Sequence, residues 1–433
     1  MKRIITVILS LAASLVVMAQ VRITTPETEL IIKADKGADL QILYFGARLS
    51  DADAANIEAA GVPGHRAYRA YGLWCASEAS LGVTHADGNL STSLKVESVM
   101  QSDVIDNSIV TKVVMKDAVY PFYVTVCYRA YQDVDMIETW TEIANLGKKP
   151  VTLTRFDSGY LPVRVGDVWL SHLHGTWAAE GLLVQEPLQR GMKVIKNKDG
   201  SRNSHTDHAE VMFSLDGKPQ ENTGRVIGAA LCYSGNYELR IDTRDTDYHE
   251  FYAGINPDNS SYKLESKEVF MTPELAFTYS DEGLSGASRN FHKWGRTYKL
   301  AHGDKLRKIL LNSWEGVYFD INEPGMDQMM ADIASMGGEL FVMDDGWFGV
   351  KYPRLTDNCA LGDWQVDRNK LPNGIGWLVE QAHKHGIKFG IWIEPEMTNT
   401  TSELYEKHPD WVVNDPERAL SKGRGGTQLV LDL

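Results

Sequence analysis

The chain has 433 residues, which is enough for two or more domains, and its 43% hydrophobic and 24% charged residues are typical of a globular protein. The formal net charge of −14 at pH 7 argues against nucleic acid and anionic surfaces as partners. Four cysteines, Cys75, Cys127, Cys232 and Cys359, lie far apart without a CxxC pair, so a structural zinc site is not expected and four unpaired thiols, mostly in cores, are favoured.

The first 20 residues have the pattern of a secretory signal peptide. Lys2 and Arg3 form the charged start, residues 4–17 form the apolar stretch, and a small-residue cleavage site ends at Ala19 before Gln20. This pattern predicts export to the periplasm or the cell exterior, with no membrane attachment after the signal is removed. An N-terminal membrane anchor is the alternative, but the apolar stretch is short for a spanning helix.

Residues 21–290 are predicted to be mostly β. Runs of β-branched and aromatic residues, such as 123–128, 137–143 and 151–156, are separated by short turns that contain Gly, Asn and Asp. Strands of this length at this spacing predict one large antiparallel sandwich domain.

Two histidine pairs in this region have a spacing that metal ligands also use: His172 with His174, and His205 with His208. No acidic residue or cysteine is placed beside them by the sequence. Histidines satisfied by hydrogen bonds are therefore the favoured interpretation, and neither a metal nor another cofactor is expected.

Residues 291–433 change to alternating strands and helices. Apolar runs predict four strands and helical patterns lie between them; the predicted strands are 309–313, 339–343, 387–393 and 428–432. The segment Asp320-Ile321-Asn322 is expected to offer a helix cap before Pro324, and Thr400 with Glu403 is expected to form a capping box. Each strand carries polar and aromatic residues at its carboxyl end, which predicts the first half of a (β/α)8 barrel with its site at that end.

Two adjacent carboxylates, Asp344 and Asp345, end the second predicted strand just before Trp347. Carboxylates are costly to place in a core, but in an open pocket they accept hydrogen bonds from sugar hydroxyls while an indole packs on the ring. A solvated turn beside a core tryptophan is the alternative interpretation.

Several segments in this part resemble, in order and spacing, the α-galactosidases of glycoside hydrolase family 36. They read NSWE at 312–315, LFVMDDGWFG at 340–349, LGDW at 361–364, KFGIWIEPEM at 388–397, LYEKHPDWV at 404–412 and QLVLDL at 428–433. The resemblance is dense over residues 309–433 and thinner towards the amino terminus. It implies a β-supersandwich followed by an incomplete (β/α)8 TIM barrel. It also implies retaining cleavage of terminal α-galactosyl residues from oligosaccharides.

The resemblance also implies which residues contact the sugar. Asp344 and Asp345 would bind galactose hydroxyls, Trp314 would line the pocket, Trp177 would close it from the β domain, and Arg424 would lie near the sugar. Two departures bear on the substrate. Leu73-Trp74-Cys75 stands where family members carry an acidic residue, with no carboxylate until Glu78, and Gly425-Gly426 follows Arg424 as an insertion.

Both catalytic aspartates of the family are expected beyond Leu433, because no Lys-Trp-Asp motif occurs in the chain. The chain is therefore interpreted as the N-terminal part of a longer enzyme, whose family members are often homo-oligomers, and it is expected to be inactive by itself. Glu394 and Glu396 are expected to anchor loops rather than to catalyse. A non-catalytic galactoside-binding protein is the main alternative; a transglycosylase or an N-acetylgalactosaminidase of the same clan is another.

Overall fold

The structure, a computed structural model, describes residues 14–15, 20–61, 64–72, 77–164, 166–200, 206–243 and 248–432. It divides by its internal contacts into two compact units, Met1–Asp304 and Lys305–Leu433, named here the β unit and the α/β unit. The predicted signal peptide lies outside the described residues except at Ser14–Leu15 and Gln20. It stays a prediction, as do the domain boundaries at 20/21 and 290/291.

The β unit contains 21 described strands and two helices. In chain order they are β1 Ser14–Leu15, β2 Gln20–Thr24, β3 Thr28–Lys33, β4 Gln41–Ala47, α1 Asp51–Ala59, β5 His65–Arg66, β6 Leu81–Thr84, β7 Leu94–Gln101, β8 Ser108–Asp117, β9 Phe122–Tyr131, β10 Ile137–Asn145, β11 Val151–Arg164, β12 Trp169–His174, β13 Leu182–Pro187, β14 Met192–Lys196, β15 Asp207–Ser214, β16 Val226–Leu231, β17 Tyr237–Asp242, β18 Tyr248–Ile255, β19 Tyr262–Leu264, β20 Glu268–Met271, β21 Leu275–Ser280 and α2 Gly283–Trp294.

These strands form three antiparallel sheets. The largest has 11 strands in the order β1-β7-β8-β9-β10-β21-β16-β15-β12-β13, with β20 beside β10; the second has the order β14-β17-β18-β11-β19, with β6 beside β11; the third is β2-β3-β4-β5. One core joins them, since Phe213 on β15 packs on Phe251 of β18 and Phe45 on β4 packs on Phe277 of β21. The predicted antiparallel sandwich is confirmed.

One face of the second sheet carries a buried network of charges. Arg240 on β17 is 2% exposed and binds Asp157, Glu238 and Glu78, the last at 3.0 Å from Nη1 to Oε2. Arg155 donates to Glu238 at 2.9 Å. Buried charges persist only when they are paired and hydrogen-bonded in this way.

Asp157 makes this network sensitive to pH. Burial, opposed by Arg240 and Arg155, raises the pKa of Asp157 to about 6. Because the folded state then holds this proton more tightly than the unfolded chain, stability falls as the pH rises from about 4 to 6, by roughly 2–3 kcal/mol. We expect the free energy of unfolding of the wild type, measured with urea, to fall relative to that of Asp157→Asn by this amount between pH 4 and pH 7. The exposed control Asp281→Asn keeps the wild-type profile, and a pH-independent difference would contradict the assignment.

Helix α2 continues into a π-helical turn, Gly295–Lys299. Glu138 on β10, which is fully buried, accepts from Arg129 at 2.6 Å and pairs with Lys299 at 2.5 Å. This shared carboxylate ties the end of the helix to the large sheet.

The α/β unit has β22 Leu310–Asn312, α3 Trp314–Val317, α4 Glu323–Ser335, β23 Leu340–Met343, α5 Gly374–Lys384, β24 Lys388–Ile391, β25 Met397–Asn399, α6 Glu403–Lys407 and β26 Gln428–Val430. Strands β22, β23 and β24 pair in parallel, in that order. The Asn322 side chain accepts from the Gly325 amide at 2.9 Å, so the predicted cap of α4 is confirmed. Met326 and Met330 of α4 pack on Phe341 of β23 and Leu378 of α5 in a separate core.

Two expectations for this unit are wrong. The fourth predicted parallel strand, β26, pairs antiparallel with β25 instead, because the chain turns at Pro395 and leaves β25 extended beside it. The cap of α6 is Ser402, whose hydroxyl accepts from the Tyr405 amide at 3.0 Å, rather than Thr400. Among the described residues, no helix combines the length and apolarity needed to span a membrane.

Candidate functional site

The carboxyl ends of the three parallel strands bring Asn312, Asp344 and Trp392 together. Asn312, at the end of β22, pairs with Val342 of β23. Val342 lies two positions before Asp344 in the sequence. The Trp392 amide donates to the Met343 carbonyl at 2.9 Å, which places Trp392 beside Asp344 at the end of β24. Parallel β/α folds use this edge for ligands.

Asp344 is half-buried and only partly engaged. Asn312 Nδ2 donates to its Oδ2 at 2.6 Å, and the Asp345 amide donates to its Oδ1 at 2.7 Å. Its own amide donates to Ser313 Oγ at 3.0 Å. An ionised carboxylate has about four acceptor positions, so Asp344 can also accept hydrogen bonds from ligand hydroxyls.

Asp345 has a different environment from the one the sequence predicts. It is 5% exposed, and both of its oxygens accept from Arg354: Nε to Oδ1 at 2.9 Å and Nη2 to Oδ2 at 2.7 Å. The side chain therefore lies in an interior ion pair rather than in an open pocket. Its sugar-binding role stays a prediction, and any ligand hydroxyl would use the acceptor positions that Arg354 leaves.

The expectation that the Trp347 indole packs on a sugar ring is wrong. Trp347 is 3% exposed, its Nε1 donates to the Trp392 carbonyl at 3.1 Å, and it packs against Phe348 and Trp364. The alternative, a core tryptophan, is correct. Trp392, which is only partly buried at the strand end, is the indole that the geometry offers instead.

Trp314 lies next to this edge. It begins the short helix α3 directly after β22, and its amide donates to Asn312 Oδ1 at 2.7 Å. The half-buried indole contacts Tyr318 and Phe319 edge-on, with ring centroids 5.2 and 5.1 Å apart. The structure thus brings Trp314 and Asp344 to the same strand ends, through their common partner Asn312.

Arg424 lies in a turn and pairs with Asp357, with 3.0 Å between Nη2 and Oδ2. The inserted glycines form this turn, with φ of +62° at Gly425 and +67° at Gly426, where most side chains would be strained. Burial has the largest effect on the pKa of Glu394 and raises it, whereas the charges of Arg424 and Arg354 lower it.

The carboxylates proposed above as loop anchors differ from one another. Glu394 is half-buried, and burial followed by the charge of Glu396 raises its pKa. Glu396 is exposed, and its carbonyl accepts from the Leu431 amide at 2.9 Å, which joins the β24–β25 turn to the segment after β26.

In the β unit, Trp177 follows β12 in a turn in which Ala178 has a φ of +62°. Its side chain is 80% exposed, so it is not a core tryptophan. Leu73, Trp74 and Cys75 lie outside the described residues, but the Glu78 carboxylate accepts from Arg240.

The histidines have separate partners: His174 Nδ1 lies 2.9 Å from Asp207, and His208 Nδ1 lies 3.2 Å from Glu210. His205 is outside the described part of the chain, and within that part no three His, Cys, Asp or Glu side chains form a metal-binding group.

The cysteines Cys127, Cys232 and Cys359 carry free thiols, and Cys75 is outside the described residues. Of the three described cysteines, only Cys127 is buried, and burial raises the pKa of its thiol. Cys232 is exposed, so the expectation that the thiols lie mostly in cores is wrong there.

The large antiparallel β unit is followed in the chain by parallel β/α elements that carry carboxylates and indoles at their strand ends. Two family descriptions match: glycosyl hydrolase family 36 N-terminal domain over residues 38–265, and melibiase over residues 269–433. The chain belongs to glycoside hydrolase family 36, and the predicted β-supersandwich with an incomplete (β/α)8 barrel is confirmed.

Its relatives are α-galactosidases. AgaA of Geobacillus stearothermophilus is 38% identical over 324 residues, which are 74% of this chain and 43% of the relative. Mel36A of Lactobacillus acidophilus is 35% identical over 323 residues, again 74% of this chain and 43% of the relative. A crystal structure of an AgaA variant in complex with stachyose has a TM-score of 0.87 at 30% identity, over 95% of this chain and 61% of that chain. The aligned residues thus cover 43% of these curated relatives, and the structural match covers 61% of the AgaA chain, so this chain spans only part of their length.

Proposed function

We propose that the chain is the amino-terminal part of a retaining α-galactosidase, which removes terminal α-galactosyl residues from oligosaccharides. The observation that carries the proposal is Asp344: a half-buried carboxylate at the end of β23, held by Asn312 and with acceptor positions to spare. Family membership and the similarity to an α-galactosidase bound to stachyose support the choice of sugar.

Each proposed contact has a chemical role. Asp344 accepts hydrogen bonds from galactose hydroxyls, and Asp345 adds the acceptor positions that its ion pair leaves. Trp314 offers a half-buried indole beside them, and Trp177 offers an indole face open to stacking on a ring. Arg424, held by Asp357, supplies hydrogen-bond donors to sugar oxygens.

The 433 residues are proposed to bind a galactoside without hydrolysing it. A retaining glycosidase needs a nucleophile and an acid/base whose carboxyl groups are roughly 5–5.5 Å apart. In our proposal both belong to the part of the relatives' length that this chain does not cover. Export is proposed as well, supported by the charged start and the apolar stretch of residues 1–20.

Asp344→Asn is expected to weaken binding of methyl α-D-galactopyranoside by roughly tenfold or more, because a hydrogen bond to a charged acceptor contributes about 1.5–3 kcal/mol. Ligand-observed NMR titration of the 433-residue chain measures the affinity. The exposed control Asp332→Asn, on α4, keeps the wild-type affinity.

The same protein should release no nitrophenol from 4-nitrophenyl α-D-galactopyranoside. Turnover by the purified chain would refute the placement of the catalytic pair. Unchanged affinity in Asp344→Asn would refute the binding role of that carboxylate.

A further inference from the structure

Arg354 and Asn399 form a buried polar network with Asp345, and neither is implied by any motif in the sequence. We propose that these two residues position the Asp345 carboxylate for recognition of the galactoside. This inference rests on the function proposed above, and it adds two positioning residues to that site.

The first step is the ion pair itself. Arg354 is 1% exposed, and its guanidinium binds both oxygens of Asp345 side by side. A two-point pair of this kind fixes the plane and the rotation of the carboxylate, which a single contact cannot do. The Asp345 amide in turn donates to Asp344 Oδ1, so the orientation of one carboxylate is linked to that of the other.

The second step concerns the hydrogen bonds and ring contacts that hold the Arg354 side chain. Its Nη1 donates to the Cys359 carbonyl at 2.7 Å and to Asn399 Oδ1 at 3.1 Å. The guanidinium also lies near the faces of Phe319 and Phe348, 5.6 and 5.7 Å from their centroids. Together with Asp345, these partners engage all three nitrogens of the guanidinium, which restrains its position.

Asn399, on β25, uses its full hydrogen-bonding capacity. Besides Arg354, its Oδ1 accepts from the Leu361 amide at 2.9 Å. Its Nδ2 donates to the Asp357 carbonyl at 3.0 Å and to Thr427 Oγ1 at 3.2 Å. An amide can make four such bonds, and all four are made here. One side chain thus joins the loop of Arg354 to the turn that follows Arg424.

The network reaches a second proposed sugar contact. Asp357, whose carbonyl accepts from Asn399, pairs through its carboxylate with Arg424. Asp345 and Arg424 are therefore linked through Arg354, Asn399 and Asp357.

Stability alone is a poor reason for this arrangement, because a buried ion pair is often no more stabilising than apolar residues of the same shape. Holding a binding group in a fixed geometry is what such supporting contacts provide at ligand sites.

The test is a double-mutant cycle on the 433-residue chain with methyl α-D-galactopyranoside as the probe. Arg354→Lys keeps the charge but replaces the two-point contact by a single one, and we expect it to weaken binding about tenfold. In an Asp345→Asn background the same change should alter affinity less than twofold, because Arg354 acts through that carboxylate. Arg368→Lys, an exposed arginine in the same loop, is the matched control. Equal losses in both backgrounds would overturn the proposal.

A second measurement does not depend on the sugar. In ¹⁵N NMR spectra the Arg354 Nε–H should exchange with water at least tenfold more slowly than that of Arg368. Asn399→Leu, which has a similar shape but no polar atoms, should accelerate this exchange at least tenfold while the chain stays folded by circular dichroism. If the wild type binds no galactoside, the proposed function fails and the exchange rates still decide the positioning role. Exchange at Arg354 as fast as at Arg368 would overturn it.

Discussion

Replacing Arg240 with methionine is expected to lower the free energy of unfolding of the β unit by about 3–5 kcal/mol at pH 7.5. Arg240 is the common partner of Asp157, Glu238 and Glu78 on the covered face of the second sheet. Methionine fills much of the same volume, so the loss comes from carboxylates left buried without a cation rather than from a cavity. Urea unfolding, followed by hydrogen exchange in peptides that contain β17, measures it.

Arg225 provides the control for this prediction. It forms a two-point pair with Asp216, but both side chains are exposed. Exposed pairs contribute about 0–1 kcal/mol, so Arg225→Met should change stability by no more than that. Similar small effects at both positions would show that the buried network is unimportant to stability.

Arg354→Met is expected to destabilise the α/β unit by about 3–5 kcal/mol, because Asp345 would be left ionised and almost fully buried without its counter-ion. Hydrogen exchange in peptides that contain β22, β23 and β24 reports the stability of this unit separately from the β unit.

The double variant Arg354→Met with Asp345→Leu should recover most of the lost stability, since replacing both partners of a buried pair by apolar residues is often neutral. The exposed control Arg368→Met should leave exchange unchanged. A double variant as unstable as the single one would indicate that packing around Arg354, rather than the unpaired charge, causes the loss.

Much of the fold could be predicted because its signals are local. On β9 the buried residues Phe122, Val124 and Val126 alternate with the partly exposed Tyr123 and Thr125, the two-residue period of a half-buried strand. Asn322 two positions before Pro324 marks the start of α4, and Met326 and Met330 repeat at helical spacing on its buried face.

Other features depend on contacts between distant residues and have no local signal. The run that ends at Val430 is apolar like the barrel strands before it, and only the position of β25 decides that it pairs antiparallel. Arg354 and Asn399 are 45 residues apart, in irregular chain and in a three-residue strand, so no periodicity relates them. An arginine in a loop is usually exposed, and nothing in the sequence marks this one as buried.

The site was predictable in place rather than in detail. Carboxylates at a strand end located it, because parallel strands bring their carboxyl ends together. The sequence did not distinguish Asp344, half-buried with free acceptor positions, from its neighbour in the interior ion pair. It also favoured the wrong indole, since Trp347 and Trp392 both follow apolar strands and only packing buries the first.

The stretch between the π-helical turn and β22 has a consequence for the evolution of the protein. Near the end of the β unit, Lys299 forms an ion pair with Glu138, and the α/β unit has its own hydrophobic core. Residues 300–308, which lie between Lys299 and the first strand of the α/β unit, are almost entirely exposed. A recombination event within these nine residues would disrupt neither core. The β unit could therefore be exchanged or fused to another gene at this junction without losing its own folding information.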